Sequence, residues 1–333
     1  MVYGLWTELM GSGVVYLFPG QGAQAVGMGK AFYDRYSASR TIYKRANTHL
    51  GFDVTALCFE GPQEELTKTE KCQPALFVTS IAAFAAFHEM APALKPVGAA
   101  GLSLGELTSL AVADAFRFTD ALYLMQARAD AMAECAAHHK GMMLAVVGLS
   151  SEATLALCRE SGATAANYNA PDQVVLSGPV EAIDKAEALA KTHGAKRAIR
   201  LEVAGAFHSS LMQPAADQFR RVLSNVDIQT PLFPVVSNVT GKPVQGSDDI
   251  RELLVKQIVS PVLWEPSMRH LIQAGATHFL EFPPARVLTA LLRRIDSSVK
   301  GTAIDAPKDV EKLSDFVRPE TSDTRPQSAS PNV

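Results

Sequence analysis

Cysteine is scarce in this chain: four in 333 residues, at Cys58, Cys72, Cys135 and Cys158. They share no metal-ligand spacing, and a chain this long needs no disulfide staples. A zinc module and a small secreted scaffold are therefore excluded, and the thiols read as reduced, in a cytoplasmic setting. Basic excess is missing too. Lys+Arg number 31 against 34 Asp+Glu, a net charge of −3, so a nucleic-acid partner has no electrostatic basis. Long apolar runs are also lacking. None approaches the roughly 20 residues a membrane helix needs, and no basic region followed by an apolar stretch opens the chain, so neither a membrane partner nor a signal peptide is expected. No internal repeat is visible.

What is present suits one large globular domain or two smaller ones, with 47% hydrophobic and 20% charged residues. Residues 1–13 read as a leader. V-V-Y-L-F at 14–18 is a short apolar run stopped by Pro19-Gly20, which suits a buried parallel strand. Helical periodicity covers about 26–48 and 73–90. A-L-K-P-V-G-A-A-G then leads as a strand into a turn at Ser103, and two helices follow, the second capped by Thr119 and ending near His138. From 141 to 204 the order becomes β-α-β-β-α-β, the ferredoxin-like unit, inserted between two stretches of α/β pattern. The outer α/β domain, 14–140 and 205–304, resumes with a helix, the strand F-P-V-V-S-N-V and further helices to about 296. From 305 to 333 Pro, Ser, Thr, Asp and Lys dominate, and a disordered tail is expected.

Four places carry candidate chemistry. Residues 101–105, G-L-S-L-G, match the nucleophile elbow G-x-S-x-G, and strand, turn and helix are the setting an elbow requires. There the amide of Leu104 can face a developing oxyanion near Ser103. Directly after the first strand, G-Q-G-A-Q at 20–24 imitates a dinucleotide fingerprint. That reading needs a second strand ending in an acidic residue about 20 positions on, where the chain is instead polar and helical. A glycine turn at a strand's end can instead bring backbone amides to a reacting carbonyl. Arg128 interrupts an apolar stripe of Ala121, Leu124, Met125 and Met132; it snorkels, pairs with a structural carboxylate, or waits for a substrate carboxylate. His208, in G-A-F-H-S-S-L-M, follows a strand and precedes a helix with a capping box of Ser210 and Gln213. With a serine on an elbow it becomes the obvious base.

With these motifs quoted, a resemblance is plain. F-P-G-Q-G-A-Q, G-L-S-L-G-E, the arginine 25 residues after the serine, G-A-F-H-S-S-L-M and K-Q-I-V-S-P-V-L-W are similar to the malonyl-CoA:acyl carrier protein transacylases, over residues 14 to 296. The resemblance implies an α/β-hydrolase-like domain with a parallel sheet and an inserted ferredoxin-like subdomain. It implies Ser103 as nucleophile, His208 as base and the amides of Gln21 and Leu104 as oxyanion hole. Arg128 would bind the malonyl carboxylate, and Gln257 would orient His208 through its main-chain carbonyl. Phe207 resembles the bulky residue of malonyl-selective members. The implied partners are malonyl-CoA and an acyl carrier protein, with no metal and no cofactor.

Two positions depart from the family. Leu102 stands where histidine is common, and E-F-P-P-A-R at 281–286 replaces E-x-G-P-G-K, so Pro283 and Ala285 take the place of glycines. Fatty acid synthesis is the expected pathway, with a polyketide synthase served in trans as the rival. A proofreading acyl hydrolase has no use for Arg128, and a dead docking module no use for the whole set. Lys196, Arg197, Arg293 and Arg294 are candidate contacts for an acidic carrier protein.

Overall fold

The computed structural model describes residues 13–92 and 94–314. V-V-Y-L-F forms strand β1 (Gly13–Phe18), buried from Val14 onward. Its side chains alternate: Val14, Tyr16 and Phe18 join one apolar cluster, Val15 and Leu17 another. A strand apolar on both faces needs cover on both, which a parallel sheet flanked by helices supplies. Each fully buried Val, Leu or Phe contributes about 1.5–3 kcal/mol, more than the roughly 1–2 kcal/mol that ordering its backbone costs. Four more strands complete the sheet: β2 (Gly98–Gly101), β7 (Val235–Val236), β8 (Ala276–Glu281) and β9 (Lys300–Ala303). Their order is β7-β2-β1-β8-β9, parallel throughout. Phe18 pairs with Gly101, so β1 and β2 end side by side and the two glycine turns that follow them emerge together.

A second sheet holds β3 (Met142–Val147), β4 (Thr164–Ala170), β5 (Gln173–Gly178) and β6 (Arg197–Arg200) in the antiparallel order β4-β5-β3-β6. Helices Ser151–Ser161 and Val180–Ala190 cover one face, where Leu144, Val146, Leu157, Leu176 and Ile183 pack together. Met143, Ala145 and Val175 point the other way, into the main core.

The structure departs from the sequence reading in several places. Strand β8 lies where further helices are expected, and β9 lies beyond them; both are short, and pairing, β8 with β1 and β9 with β8, rather than local pattern makes them strands. The expected tail from 305 begins with a helix, Pro307–Ser314. Proline suits its first turn, Val310 is buried, and Arg35 donates to Glu311 at 3.1 Å. Its polar composition conceals a helix held by one apolar side. The second helix after Ser103 starts at Phe118, so Thr119 lies inside it. Ser209, not Ser210, makes the cap near His208, accepting from the Leu211 amide. Gly13, read as leader, opens β1; residues 1–12 and 315–333 lie outside the described residues. Among the described residues no helix is long and apolar enough to cross a membrane.

Candidate active site

Ser103 occupies the turn between β2 and the helix Leu104–Val112, with φ 55° and ψ −108°. That left-handed backbone is strained for serine and persists only where its surroundings over-determine it. The flanking glycines show how. A Cβ on Gly101 would lie 1.9 Å from the Gly105 carbonyl carbon, and one on Gly105 would lie 2.3 Å from the Phe18 oxygen. The turn is thus packed against itself and against the end of β1, and only glycine fits at either side. The neighbouring loop closes on it equally tightly, since a Cβ on Gly20 would meet the Leu102 oxygen at 2.6 Å.

Ser103 Oγ lies 2.8 Å from His208 Nε2. On the far side of the ring, Nδ1 lies 2.9 Å from the Gln257 main-chain carbonyl. A carbonyl only accepts, so Nδ1 carries the hydrogen and Nε2 offers its lone pair to the serine hydroxyl. Burial, then the charge of Arg128, push the His208 pKa down to about 4. The imidazole is neutral near pH 7, as a base must be.

Arg128 is buried within the helix Phe118–His138. Its Nη1 donates to Gln73 Oε1 at 2.6 Å, and its Nη2 to Gln257 Oε1 at 2.8 Å and to Ser103 Oγ at 3.0 Å. Burial lowers its pKa to about 10, with Glu106 acting the other way, so it stays a cation. The stripe position is therefore neither snorkelling nor surface: the guanidinium is aimed at the serine.

These groups open onto one cavity of about 130 Å³. Gln21, Ser103, Leu104, Arg128, Phe207 and His208 all line it, with Met143, Asn167, Asn169 and Val175 from the second sheet opposite. Leu104 is the first residue of its helix, so its amide is one of the four that a helix leaves without an internal partner. A serine hydroxyl, a neutral imidazole, a helix-end amide and a buried cation converge here on a space fit for a short acyl group.

Residues 15–316 match the family model described as an acyl transferase domain. The chain belongs to the acyl transferase family. It is 40% identical over 305 residues to the malonyl CoA-acyl carrier protein transacylase of Bacillus subtilis, covering 90% of this chain and 96% of that one. It is 41% identical over 283 residues to the polyketide biosynthesis protein ThaF of Burkholderia thailandensis, covering 84% of this chain and 24% of that protein. Among solved structures, a malonyl-transacylase in complex with its type II PKS acyl-carrier protein matches with a TM-score of 0.88 at 35% identity, covering 91% of this chain and 99% of that one. The mixed α/β fold with its parallel sheet is that of the solved acyl transferases.

In this acyl transferase three further polar residues hold the site, and sequence reading missed all of them. Gln73 is the second amide on Arg128. Asn238 Oδ1 accepts from the Ser103 amide at 2.7 Å while its Nδ2 donates to the Gly101 carbonyl at 2.8 Å. Glu106, within the quoted G-L-S-L-G-E, is wholly buried, and its Oε2 accepts from the Asn238 amide at 3.0 Å and Gln257 Nε2 at 2.6 Å. Burial pushes its carboxyl up to about 7 against these bonds. A charged residue three positions after Ser103 in an otherwise uncharged helix is the one signal that pointed to it. Leu102 lines the cavity and packs on Gly20, giving an apolar wall at that position. In the departing loop, the Pro283 carbonyl accepts from Ser80 Oγ at 2.7 Å, and Glu281 caps the next helix through the Leu288 and Thr289 amides, each at 2.8 Å. Arg294 is engaged with Asp172 at 2.6 Å, while Lys196, Arg197 and Arg293 are exposed.

Proposed function

We propose that this acyltransferase moves malonyl groups from malonyl-CoA to the phosphopantetheine thiol of an acyl carrier protein, through a malonyl ester on Ser103. The buried guanidinium of Arg128, 3.0 Å from the nucleophile's oxygen, carries the reading. A cation fixed beside the reacting atom selects an acyl group with a terminal carboxylate, and an acetyl group would leave it buried without a carboxylate in direct contact. Ser103 Oγ attacks the thioester carbonyl as its proton passes to His208 Nε2. The amides of Leu104 and Gln21 receive the oxyanion. The carbon–sulfur bond then breaks, and the CoA thiolate takes the proton from the imidazolium. In the second half the phosphopantetheine thiol gives its proton to His208 and attacks the ester, and Ser103 leaves with that proton. No cofactor enters either half. Phe207, buried beside His208, narrows the cavity against branched acyl groups.

We read residues 14–140 and 205–304 as an α/β-hydrolase-like unit and 141–204 as a ferredoxin-like insertion. The strand order β4-β5-β3-β6 supports the second label. Fatty acid synthesis in the cytoplasm is the pathway this reading favours. Likeness to ThaF supports a second reading, service to a polyketide assembly line in trans.

Intact mass after mixing the protein with malonyl-, acetyl- or methylmalonyl-CoA tests the proposal. Wild type should gain one malonyl group and little of the others, and Ser103→Ala should gain none. Free CoA without a lasting adduct would mean a hydrolase. Neither adduct nor free CoA would overturn the transferase reading.

A further inference from the structure

We propose that Glu106 is a positioning residue: one carboxylate oxygen joins the clamp on the Ser103 turn to the clamp on Arg128 and His208. The proposal rests on the transferase reading above and deepens it.

Glu106 sits two residues into a helix whose other buried side chains include Leu104, Leu107, Leu110 and Val112, and its own exposure is 0%. A carboxylate in such a place is costly unless hydrogen bonds replace its water. Two of its donors each govern half of the site. Asn238, whose amide donates to Glu106 Oε2, spans the nucleophile's turn with its side chain, bonding the Ser103 amide and the Gly101 carbonyl. Gln257, whose Nε2 donates to the same oxygen, bonds His208 with its main-chain carbonyl and Arg128 with Oε1.

Arg128 and Glu106 together set the direction of these bonds. Arg128 only donates, so Gln257 must turn its oxygen toward the guanidinium and its Nε2 the other way. There Nε2 finds the Ser103 carbonyl at 3.0 Å and Glu106 Oε2 at 2.6 Å. Because Glu106 Oε2 accepts from Nε2, a flipped amide would set its oxygen against that oxygen and its Nε2 against the Arg128 donor, so Glu106 holds the unflipped form. Without that acceptor, the flipped and unflipped amides come closer in energy and the guanidinium loses its fixed aim at the cavity. Asn238 would lose the same anchor, and the strained turn with it.

Three variants separate this role from simple support of the fold. Glu106→Gln keeps an oxygen in place and drops the charge. Glu106→Met keeps the volume and drops the oxygen. Glu106→Asp keeps the charge and withdraws it by one methylene. The readouts are kcat/KM with malonyl-CoA and with acetyl-CoA, Tm, and the rate at which phenylmethylsulfonyl fluoride labels Ser103. The Met variant should lose about tenfold or more in malonyl kcat/KM, and its malonyl-to-acetyl ratio should fall with it. Glu106→Gln should recover most of both. A Met variant with lowered Tm but an unchanged malonyl-to-acetyl ratio overturns the proposal, and so does a Gln variant as impaired as Met. If the Met variant does not fold, Glu106→Asp takes its place with the same two outcomes. Should wild type accept no malonyl, the transferase reading fails by itself. Sulfonylation then judges Glu106 alone: slower in Met or Asp and restored in Gln supports the role, and equal rates overturn it.

Discussion

On one side of the cavity the ends of parallel β1 and β2 carry Gln21, Ser103 and Leu104, with His208 and Arg128 beside them; on the other the antiparallel sheet presents Met143 and Val175 with Asn167 and Asn169. The first side is a chain of directional bonds, running from Glu106 through Gln257 to Arg128, His208 and Ser103. Its members are fixed by who donates and who accepts. Met143 and Val175 on the second side are fixed by packing, which has no direction and tolerates replacement of similar volume. The contrast teaches where chemistry and where shape reside. Losses on the first side should appear in rate, acyl choice and pH dependence, and losses on the second in stability and in the size of acyl group admitted.

The largest effect that separates the two sides belongs to Arg128. Arg128→Leu should lower kcat/KM for malonyl-CoA by about 100-fold or more, the range for removing one partner of a buried charged pair, with little change for acetyl-CoA. The same variant should move the acid limb of the pH profile. In wild type, burial and then the arginine's charge hold His208 at about 4. Activity therefore falls only as pH drops toward that value. Removing the cation lifts the second cause and leaves the first, so the limb moves to higher pH but stays below the ordinary histidine value. A limb that does not move would mean that Arg128 is too well screened to act on His208.

A smaller effect on activity is expected from Met143→Ala on the opposite side. Met143 is buried, and its truncation should cost about 2–5 kcal/mol in stability, as core deletions do. Malonyl transfer should fall less than tenfold, while methylmalonyl transfer rises as the cavity widens. Urea unfolding and paired kcat/KM values check both halves. A large loss of malonyl rate at unchanged stability would erase the distinction between the sides. Smallest of all is the link between them at the surface. Arg294 reaches from the helix Val287–Ile295 to Asp172 in the β4–β5 turn, with both side chains partly exposed. Arg294→Ala should cost under about 1 kcal/mol in the same unfolding assay and leave transfer untouched.

The elbow was legible because its glycines are demanded by backbone contacts a few residues apart, so a short motif reports them. The buried strand β1 was legible for a similar reason, a continuous apolar run stopped by proline. Arg128 and His208 stood out as residues out of place, a cation on an apolar stripe and a histidine in a loop, and their chemistry already offered a carboxylate clamp and a base that family likeness then selected. Glu106, Asn238 and Gln73 escaped notice because each looks ordinary where it stands. A glutamate in the first turn of a helix is common at the surface, where the dipole favours it. The helix Pro307–Ser314 and strands β8 and β9 escaped because their stability comes from neighbours remote in the chain.

By itself, then, the sequence determined the turns, the periodicities and the candidate reacting groups, since these follow from local sterics and from the spacing of apolar residues. Which groups touch was decided by tertiary structure. Ser103 and His208 are 105 residues apart, Arg128 and Gln257 are 129 apart, and Glu106 and Gln257 are 151 apart. A hydrogen bond tolerates only a few tenths of an ångström, and that precision comes from sheet register and helix packing across the whole chain.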